Sequence, residues 1–208
     1  LPEGIVSVAA AAMSASYGAM GCVDSLSSVV FPQSIRSIGS KAFYKCAALA
    51  SVTMPQGVKL NGVGEDVFKE TPYLQNDANW EDNGLYLANW LLAVKDTAMT
   101  SFTVREGTEY IVNSSSSSRL FTKTAAASLQ SLTLPSSLKA IGDYAFYYLS
   151  ELNFNKTLKV YCEATELSES TYPLAPYDAL IADAATETIP SGSVRTDVPL
   201  NSSFTPNR

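Results

Sequence analysis

The strongest constraint on this chain is a sequence phrase that recurs at a fixed spacing. Between Leu26 and Leu49 it reads Leu-x-x-Val-x-Phe-Pro-x-x-Ile-x-x-Ile-Gly-x-x-Ala-Phe-x-x-Cys-x-x-Leu, where x is any residue. Its opening returns at once, since Pro55 follows Pro32 by 23 residues, and most of the phrase returns at 129–146. A period of this size predicts a repeat array, in which each unit buries its apolar edge against the next unit.

The two halves of the chain also repeat each other. Residues 1–49 align with residues 104–152 without a gap, at an offset of 103 residues. The first unit of each half spans 30 residues, which is longer than the basic period. We interpret the additional residues as loops or short irregular helices, because they include low-complexity runs. These runs lie at 9–12 and 114–118. The shared position of the long unit predicts a larger internal duplication.

Each unit opens with a segment in which polar and apolar residues alternate. The alternation at 28–31 and 51–54 predicts short β-strands, in which successive side chains point to opposite faces. The inward set is Val29, Phe31, Val52 and Met54. A proline follows each segment. We expect it to end the strand, because proline cannot donate a hydrogen bond to a sheet.

Two further positions in the unit have a predicted structural role. Gly39 and Gly142 follow an apolar residue, and we expect a tight corner there with the positive φ that glycine adopts without strain. The aromatic residues that come next are expected to stack as a spine made of Phe43, Phe68 and Phe146. In the fourth unit, Thr122-Lys123 stand at the position of the Ala-Phe pair.

The array is interrupted after Thr71-Pro72-Tyr73 by residues that do not fit the period. Asn83-Gly84 is a strong tight-turn signal, and the apolar segments 85–87 and 90–94 predict strands. We therefore expect a β-hairpin that packs on the array, and the array resumes at 102–104.

The repeat pattern decays after Leu152, and the residues from 163 onward are rich in Thr, Ser, Pro and Ala. A repeat array needs a polar terminal cap, and this segment is the candidate. We predict an array in 1–160 with a hairpin insertion at about 72–100, followed by a cap and tail in 161–208.

Composition argues against several classes of function. The 208-residue chain has a formal charge of −6 and a pI near 4.7, which disfavours binding to nucleic acid or to anionic membranes. It has no histidine, which excludes Ser-His-Asp and Cys-His catalytic arrangements and the commonest zinc ligand. No apolar run approaches the roughly 20 residues of a transmembrane helix. The chain begins at Leu1 rather than Met, and we interpret it as a trimmed or mature segment without its targeting signal.

The three cysteines are predicted to be buried, apolar thiols, because free cysteine is among the most buried residue types. Their odd number allows at most one disulfide, and they are far apart in sequence. They are Cys22, Cys46 and Cys162.

The phrase at 26–49 resembles the BspA-type leucine-rich repeat. The hairpin insertion, the segment 160–165 and the tail motif 189–194 also resemble members of this family from Bacteroides-like bacteria. The resemblance implies an α/β repeat fold: a leucine-rich-repeat solenoid with short strands, few short helices and a β-hairpin insertion. It implies no catalytic residues and no cofactor. Family members are largely secreted or displayed on the cell surface, and are implicated in adhesion to host matrix proteins such as fibronectin and fibrinogen.

The outward positions of the predicted strands form the first candidate partner-binding surface. The sheet face of a repeat protein is a common binding surface. This one is small, polar and nearly uncharged, and it lacks the Tyr, Trp and Arg anchors of interaction hot spots, so a merely solvated face remains the alternative. The ladder consists of Ser28, Val30, Ser51, Thr53, Thr103, Ser131 and Thr133.

Trp80, Tyr86 and Trp90 lie close together in sequence and form the second candidate surface. They are suited to a sugar-binding platform, and equally to the core of a hairpin that lies on the array, since large aromatics dominate core burial.

Acidic residues give weaker signals. The segment 77–84 resembles a calcium-binding loop in part, but its glycine is at the eighth position and Ala88 stands where a bidentate glutamate belongs, so we expect no metal. The adjacent carboxylate pairs Glu65/Asp66 and Glu81/Asp82 are expected to be solvated. A glycosidase needs two carboxylates across a cleft, and no pattern in the sequence places such a pair.

Three functional hypotheses follow. The first is a non-enzymatic, monomeric module of the bacterial cell surface or extracellular space that binds an extracellular protein or glycan. The second is a structural spacer that presents another domain. The third is a carboxylate-based glycan hydrolase, which the absence of histidine and the dominance of repeats disfavour.

Overall fold

The computed structural model describes residues 1–14, 25–114, 119–142, 144–146 and 148–149, together with the backbone of Lys159–Cys162 and Val194–Thr196. The described chain is a repeat fold of short strands with a few short helices. Its backbone divides into two compact units. The first unit comprises Leu1–Glu81 and Leu85–Trp90, and the second comprises Asp82–Gly84 and Leu91–Arg208. The sequence-based boundary at residue 160 remains a prediction.

The first unit contains five short strands in two parallel sheets. One sheet has the order β1-β3-β5 and the other pairs β2 with β4. The strands are β1 (Ser7–Val8), β2 (Ser28–Val30), β3 (Ser37–Ile38), β4 (Ser51–Thr53) and β5 (Gly62–Val63). The pairing of Ser28 with Ser51 has the spacing of the 23-residue period, and that of Ser7 with Ser37 has the spacing of the 30-residue first unit. The tertiary structure therefore confirms both spacings that the sequence predicts.

The second unit repeats this pattern of parallel strands. β8 (Ser101–Thr103) pairs with β10 (Ser131–Leu134), and β9 (Tyr110–Ile111) pairs with β11 (Ala140–Ile141). On its other side β10 pairs in parallel with β12 (Lys159–Cys162), and β12 pairs antiparallel with β13 (Val194–Thr196). The predicted C-terminal segment thus contributes a strand to the edge of this sheet.

The alternation of polar and apolar residues determines which side of each strand is buried. In β2, Val29 is buried while Ser28 and Val30 on either side of it are exposed. In β8, Phe102 is buried between two exposed residues in the same way. Pro135 follows the last residue of β10 directly, as expected for a residue that cannot donate to the ladder.

The repeated glycines have a different role from the predicted one. Gly39 and Gly142 are not in the left-handed region of the backbone. Each lies directly after the second strand of its repeat unit, where the chain passes very close to the preceding unit. An added Cβ at Gly39 would lie 2.7 Å from the Cα of Ala10, and one at Gly142 would lie 2.6 Å from the Oδ1 of Asn113. These positions exclude a side chain because of close backbone packing, rather than because of φ.

Aromatic rings stack within each unit. In the first unit the rings of Phe43 and Phe68 are parallel within 14°, with centroids 5.6 Å apart. Phe31 and Tyr73 extend this column by edge-to-face contacts at 6.0 Å and 5.0 Å. The predicted stacking of successive repeat units is thus present for Phe43 and Phe68.

In the second unit the predicted Ala-Phe position at Thr122-Lys123 is wrong. Phe121 is buried there instead, with its ring 5.7 Å from that of Phe102 and 5.9 Å from that of Phe146. Phe146 follows Phe121 by 25 residues, two more than the basic period. Part of this span forms helix α2 (Lys123–Ser128), whose N-terminus is capped by the Thr122 hydroxyl. The cap holds Thr122 and Lys123 on the helix, so the preceding residue enters the core.

The predicted hairpin is present as β6 (Gly84–Leu87) and β7 (Trp90–Val94). Helix α1 (Pro72–Gln75) and a 3-10 turn (Asp77–Asn79) precede it. The turn before β6 is formed by Asp82 and Asn83, which have φ of 47° and 69°, and Gly84 already belongs to the strand. The predicted Asn-Gly turn is therefore displaced by one residue, because Asp and Asn tolerate the left-handed conformation well enough to form it.

Two equivalent serines join neighbouring repeat units. The Ser34 hydroxyl donates to the carbonyl of Ile5 at 2.8 Å and accepts from the backbone N–H of Gly4 at 3.0 Å. The Ser137 hydroxyl donates to Thr108 at 2.8 Å and accepts from Gly107 at 2.9 Å. Each serine thereby satisfies the backbone of a turn that lies about one repeat unit earlier in the chain.

We expect Ser137→Ala to lower the free energy of unfolding by about 1–2 kcal/mol, because two backbone groups lose their partner. Urea denaturation of both proteins measures the difference. Ser136→Ala is the matched control, since the exposed Ser136 hydroxyl donates to the Glu106 carboxylate and to no backbone group of that turn. Equal losses for the two variants would contradict a specific role for Ser137.

The same turn gives a pH dependence. Desolvation tends to raise the pKa of Glu106, but hydrogen bonds from Ser136, Ser137 and neighbouring backbone amides lower it below its ordinary value of 4.5. A carboxylate with a lowered folded pKa stabilises the fold above its unfolded pKa and loses this contribution as the pH falls through the folded pKa. Below pH 4.5 we therefore expect unfolding free energy to fall more steeply in wild type than in Glu106→Gln, by urea titrations at several pH values. Parallel profiles would contradict it.

Candidate functional site

The outward face of β2 and β4 is the best defined candidate surface. The parallel register places Ser28 beside Ser51 and Val30 beside Thr53. All four side chains are exposed, and Val30 is 57% exposed. The row has no ionisable group, so it offers hydroxyls and one apolar side chain in a fixed two-by-two arrangement. Such a surface recognises a partner by shape and hydrogen bonds rather than by charge.

A second row of the same kind lies on β8 and β10. Thr103 pairs with Thr133, and Ser101 pairs with Ser131. The two residues of β8 are exposed and the two of β10 are partly buried, because β10 has a neighbouring strand on each side.

The predicted ladder therefore corresponds to two rows on two separate sheets rather than to one sheet. Sequence reasoning missed Ser101, although strand parity, two positions before Thr103, is the signal that identifies it.

The aromatic residues of the insertion are half-buried and anchored to the backbone. The Trp80 indole N–H donates to the carbonyl of Leu74 at 2.9 Å, and the Trp90 indole N–H donates to that of Leu60 at 2.9 Å. The buried side chain of Asn89 also holds Leu60, accepting from its N–H at 2.8 Å and donating to its carbonyl at 3.2 Å. Tyr86 lies between two buried leucines of β6 and so points to the opposite face of the strand. The two indole rings are thus fixed in orientation with one part of each accessible.

Cationic side chains pack on two tyrosine rings in the second unit, a cluster that sequence reasoning missed. The Arg119 guanidinium lies 5.8 Å from the ring centroid of Tyr144 and 5.6 Å from that of Tyr148. The Lys123 ammonium lies 5.4 Å from the Tyr148 centroid. Tyr144 is 49% exposed. Tyr and Arg are the residue types enriched in interaction hot spots, and cation–π geometry joins residues that are about 20 or more positions apart in sequence.

The acidic residues do not all lie in solvent, as the sequence analysis expected. The side chain of Asp66 is only 2% exposed, and its carboxylate lies 3.5 Å from the Lys69 ammonium. Asp66 has a φ of 57°, and this left-handed conformation redirects its side chain relative to that of an ordinary turn residue. The expectation of a solvated Glu65/Asp66 pair is therefore wrong for Asp66.

The segment that resembles a calcium loop folds into local turns. Asn76 accepts from the N–H of Ala78 at 3.1 Å, and the Asn79 amide donates to the carbonyl of Tyr73 at 2.8 Å. Among the residues described by the structure, no group of three or more His, Cys, Asp or Glu side chains is placed to hold a metal ion.

Cys46 is buried, and its thiol donates to the carbonyl of Met13 at 3.1 Å. This confirms the predicted buried thiol at that position. Cys22 and the side chain of Cys162 lie outside the described residues. Within the described ranges, no helix has the length and apolar character needed to cross a bilayer.

Comparison with known proteins identifies the repeat. A family model described as a BspA type leucine rich repeat region matches the chain in six copies, over residues 16–118 and 114–170. No curated protein and no solved structure gives a match.

Proposed function

Because the chain belongs to the BspA-type leucine-rich-repeat family, we propose that it is a non-enzymatic binding module of a secreted or cell-surface protein. Its partner is an extracellular protein or glycan. The observation that carries the proposal is the exposed face of β2 and β4, where four outward side chains are held in register by buried neighbours. A repeat scaffold of this kind separates the residues that maintain the fold from those that meet a partner.

The proposal extends to the architecture and location of the protein. The parallel pairing at repeat spacing and the stacked rings support a leucine-rich-repeat solenoid. A bacterial cell-surface location and a monomeric state belong to the same proposal, and family membership supports the first of these.

Two further surfaces fit a binding module. The exposed Tyr144 ring and the cations beside it supply the anchor types that the serine and threonine rows lack. The half-buried rings of Trp80 and Trp90, fixed by their indole N–H groups, are suited to stacking against the apolar face of a sugar. We assign the primary role to the β2–β4 face, because its side chains have no other structural task.

The test is surface plasmon resonance of the purified protein over immobilised fibronectin, fibrinogen, collagen and a glycan panel. We expect saturable binding to at least one of these ligands. Thr53→Lys and Ser51→Lys place a long charged side chain on the exposed face and are expected to weaken binding at least about tenfold, since an interface charge without a partner must be desolvated.

Gln56→Lys is the matched control, because it makes the same charge change at an exposed position just after the strand. Binding lost in the two face variants and retained in the control supports the assigned face. Binding that is lost instead in Trp80→Phe, whose ring no longer carries the indole N–H, would assign the role to the insertion. The absence of any response to micromolar protein across the panel would contradict the binding proposal and favour a structural spacer.

A further inference from the structure

The internal duplication shows that one edge of β2 is open where its counterpart is covered. The counterpart of β2, at the offset of 103 residues, is β10. β10 has a strand on each side, β8 and β12. β2 pairs with β4 on the side that corresponds to β12. On the other side, the part of the chain that the structure describes contributes one hydrogen bond, from the Leu1 ammonium to the carbonyl of Val30 at 2.8 Å.

This single hydrogen bond fixes the geometry of the open edge. Its counterpart is the bond from the Val104 N–H to the carbonyl of Thr133 at 2.9 Å, because both residues of this pair lie 103 positions later. The three residues before Val104 form β8. A strand laid on β2 in the position of β8 would therefore run parallel to β2 and end beside Leu1.

The covered edge also shows which groups a strand would satisfy. The N–H groups of Gln130 and Ser131 both donate to the carbonyl of Thr100, at 2.8 Å and 3.1 Å. Their counterparts at the open edge are the N–H groups of Ser27 and Ser28. An incoming carbonyl in the position of Thr100 would accept both.

The side chains of β8 define the kind of strand that fits. Ser101 and Thr103 are exposed, whereas Phe102 between them is 2% exposed. We propose that the open edge of β2 binds an extended segment of a partner polypeptide, which adds as a parallel strand with a large apolar side chain between two small polar ones. The inference rests on the proposed binding function and specifies its partner as protein, recognised through the backbone.

The composition of β2 is consistent with pairing. Sheet edges that must stay unpaired are usually protected by a charge, a proline or a bulge. Residues 26–31 contain no charged residue and no proline, and Val30 is 57% exposed. This edge therefore has none of the charge or proline features that keep another chain from joining it.

A fusion tests the geometry directly. A variant with Thr-Ser-Phe-Thr, the sequence of 100–103, joined ahead of Leu1 places the strand at high effective concentration. We expect its melting temperature to rise by about 3 °C or more. A matched fusion with Thr-Ser-Asp-Thr is the control and is expected to give no rise, because the buried position does not accept a carboxylate.

Binding in trans tests the partner. A fluorescent peptide with the sequence of 98–104 is titrated with the original chain, and the backbone amide signals of Ser28 and Val30 are followed by NMR. We expect saturable binding that shifts both signals. The affinity should fall at least about tenfold when the peptide carries aspartate in place of its phenylalanine, and equally when the protein carries the Thr-Ser-Phe-Thr fusion.

Unchanged melting of the fusion together with unmoved Ser28 and Val30 signals would overturn the inference. A concentration-dependent dimer that disappears on fusion would also overturn it, since the edge would then pair with a second copy. Both fusions are also passed over the immobilised matrix proteins and glycans. Retained binding there, with no peptide binding, removes the edge as the site and leaves the proposed function standing, whereas absence of both removes both.

Discussion

Replacing Gly39 by alanine is expected to lower the free energy of unfolding by at least about 3 kcal/mol. The new Cβ would lie 2.7 Å from both the Cα of Ala10 and the carbonyl carbon of Ala9. These are backbone atoms of the preceding repeat unit, so no side-chain rotation relieves the clash. The two units must separate locally, and the strand pairs Ser7–Ser37 and Val8–Ile38 beside the glycine weaken.

Gly62→Ala is the matched control for this prediction. Gly62 lies in β5 at a position whose added Cβ would have the Ser37 Cβ as its nearest neighbour, at 3.9 Å. This is an ordinary van der Waals contact, so we expect a change within about 1 kcal/mol. Urea denaturation of the two variants gives the comparison. Similar stability of Gly39→Ala and Gly62→Ala would show that the units are not packed as closely as their backbones indicate.

Phe121→Ala is expected to destabilise the second unit by about 3–5 kcal/mol, the cost of an aromatic truncation in a packed core. Phe121 is 1% exposed and lies between Phe102 and Phe146, with ring centroids at 5.7 Å and 5.9 Å. Its removal breaks the aromatic column and leaves both neighbouring rings facing a cavity. Thermal and urea denaturation, followed by near-ultraviolet circular dichroism, measure the loss.

Thr124→Ala is the control, because Thr124 is exposed on helix α2 and its side chain is remote from the column. We expect its effect to stay within about 0.5 kcal/mol. The pair of variants also tests the register of the fourth repeat. A tolerant Phe121 combined with a strongly destabilising Lys123→Ala would restore the alignment that places Lys123 in the core.

The repeat period was predictable because it is set by strand pairing. Each strand must meet its neighbour in register, so the spacing between Pro32 and Pro55 in sequence reappears as the pairing of Ser28 with Ser51. The alternation within β2 was predictable for a similar reason, since adjacent residues of a strand face opposite sides. The outward residues of the candidate face follow from these two rules alone.

The function of the glycines was not predictable in the same way. A glycine after an apolar residue is compatible with a left-handed turn and with a close approach between chains, and the sequence does not distinguish them. The distinction depends on Ala9 and Ala10, which lie about 30 positions earlier and reach Gly39 only after the units have stacked. The same holds for the Arg119 and Tyr144 pair, whose contact depends on how the turns of two repeat units are juxtaposed.

The sequence by itself determined the family, the repeat spacing and the side of each strand that faces outward, because these depend on local periodicity and on pairing between neighbouring units. Only the tertiary structure decided that the outward residues form two rows on separate sheets, that Phe121 enters the core, and that one edge of β2 is open. These features depend on insertions of a few residues and on which strand lies beside which. A periodic pattern shows that strands stack, whereas the positions at which stacking starts, shifts or stops are set by contacts between distant segments.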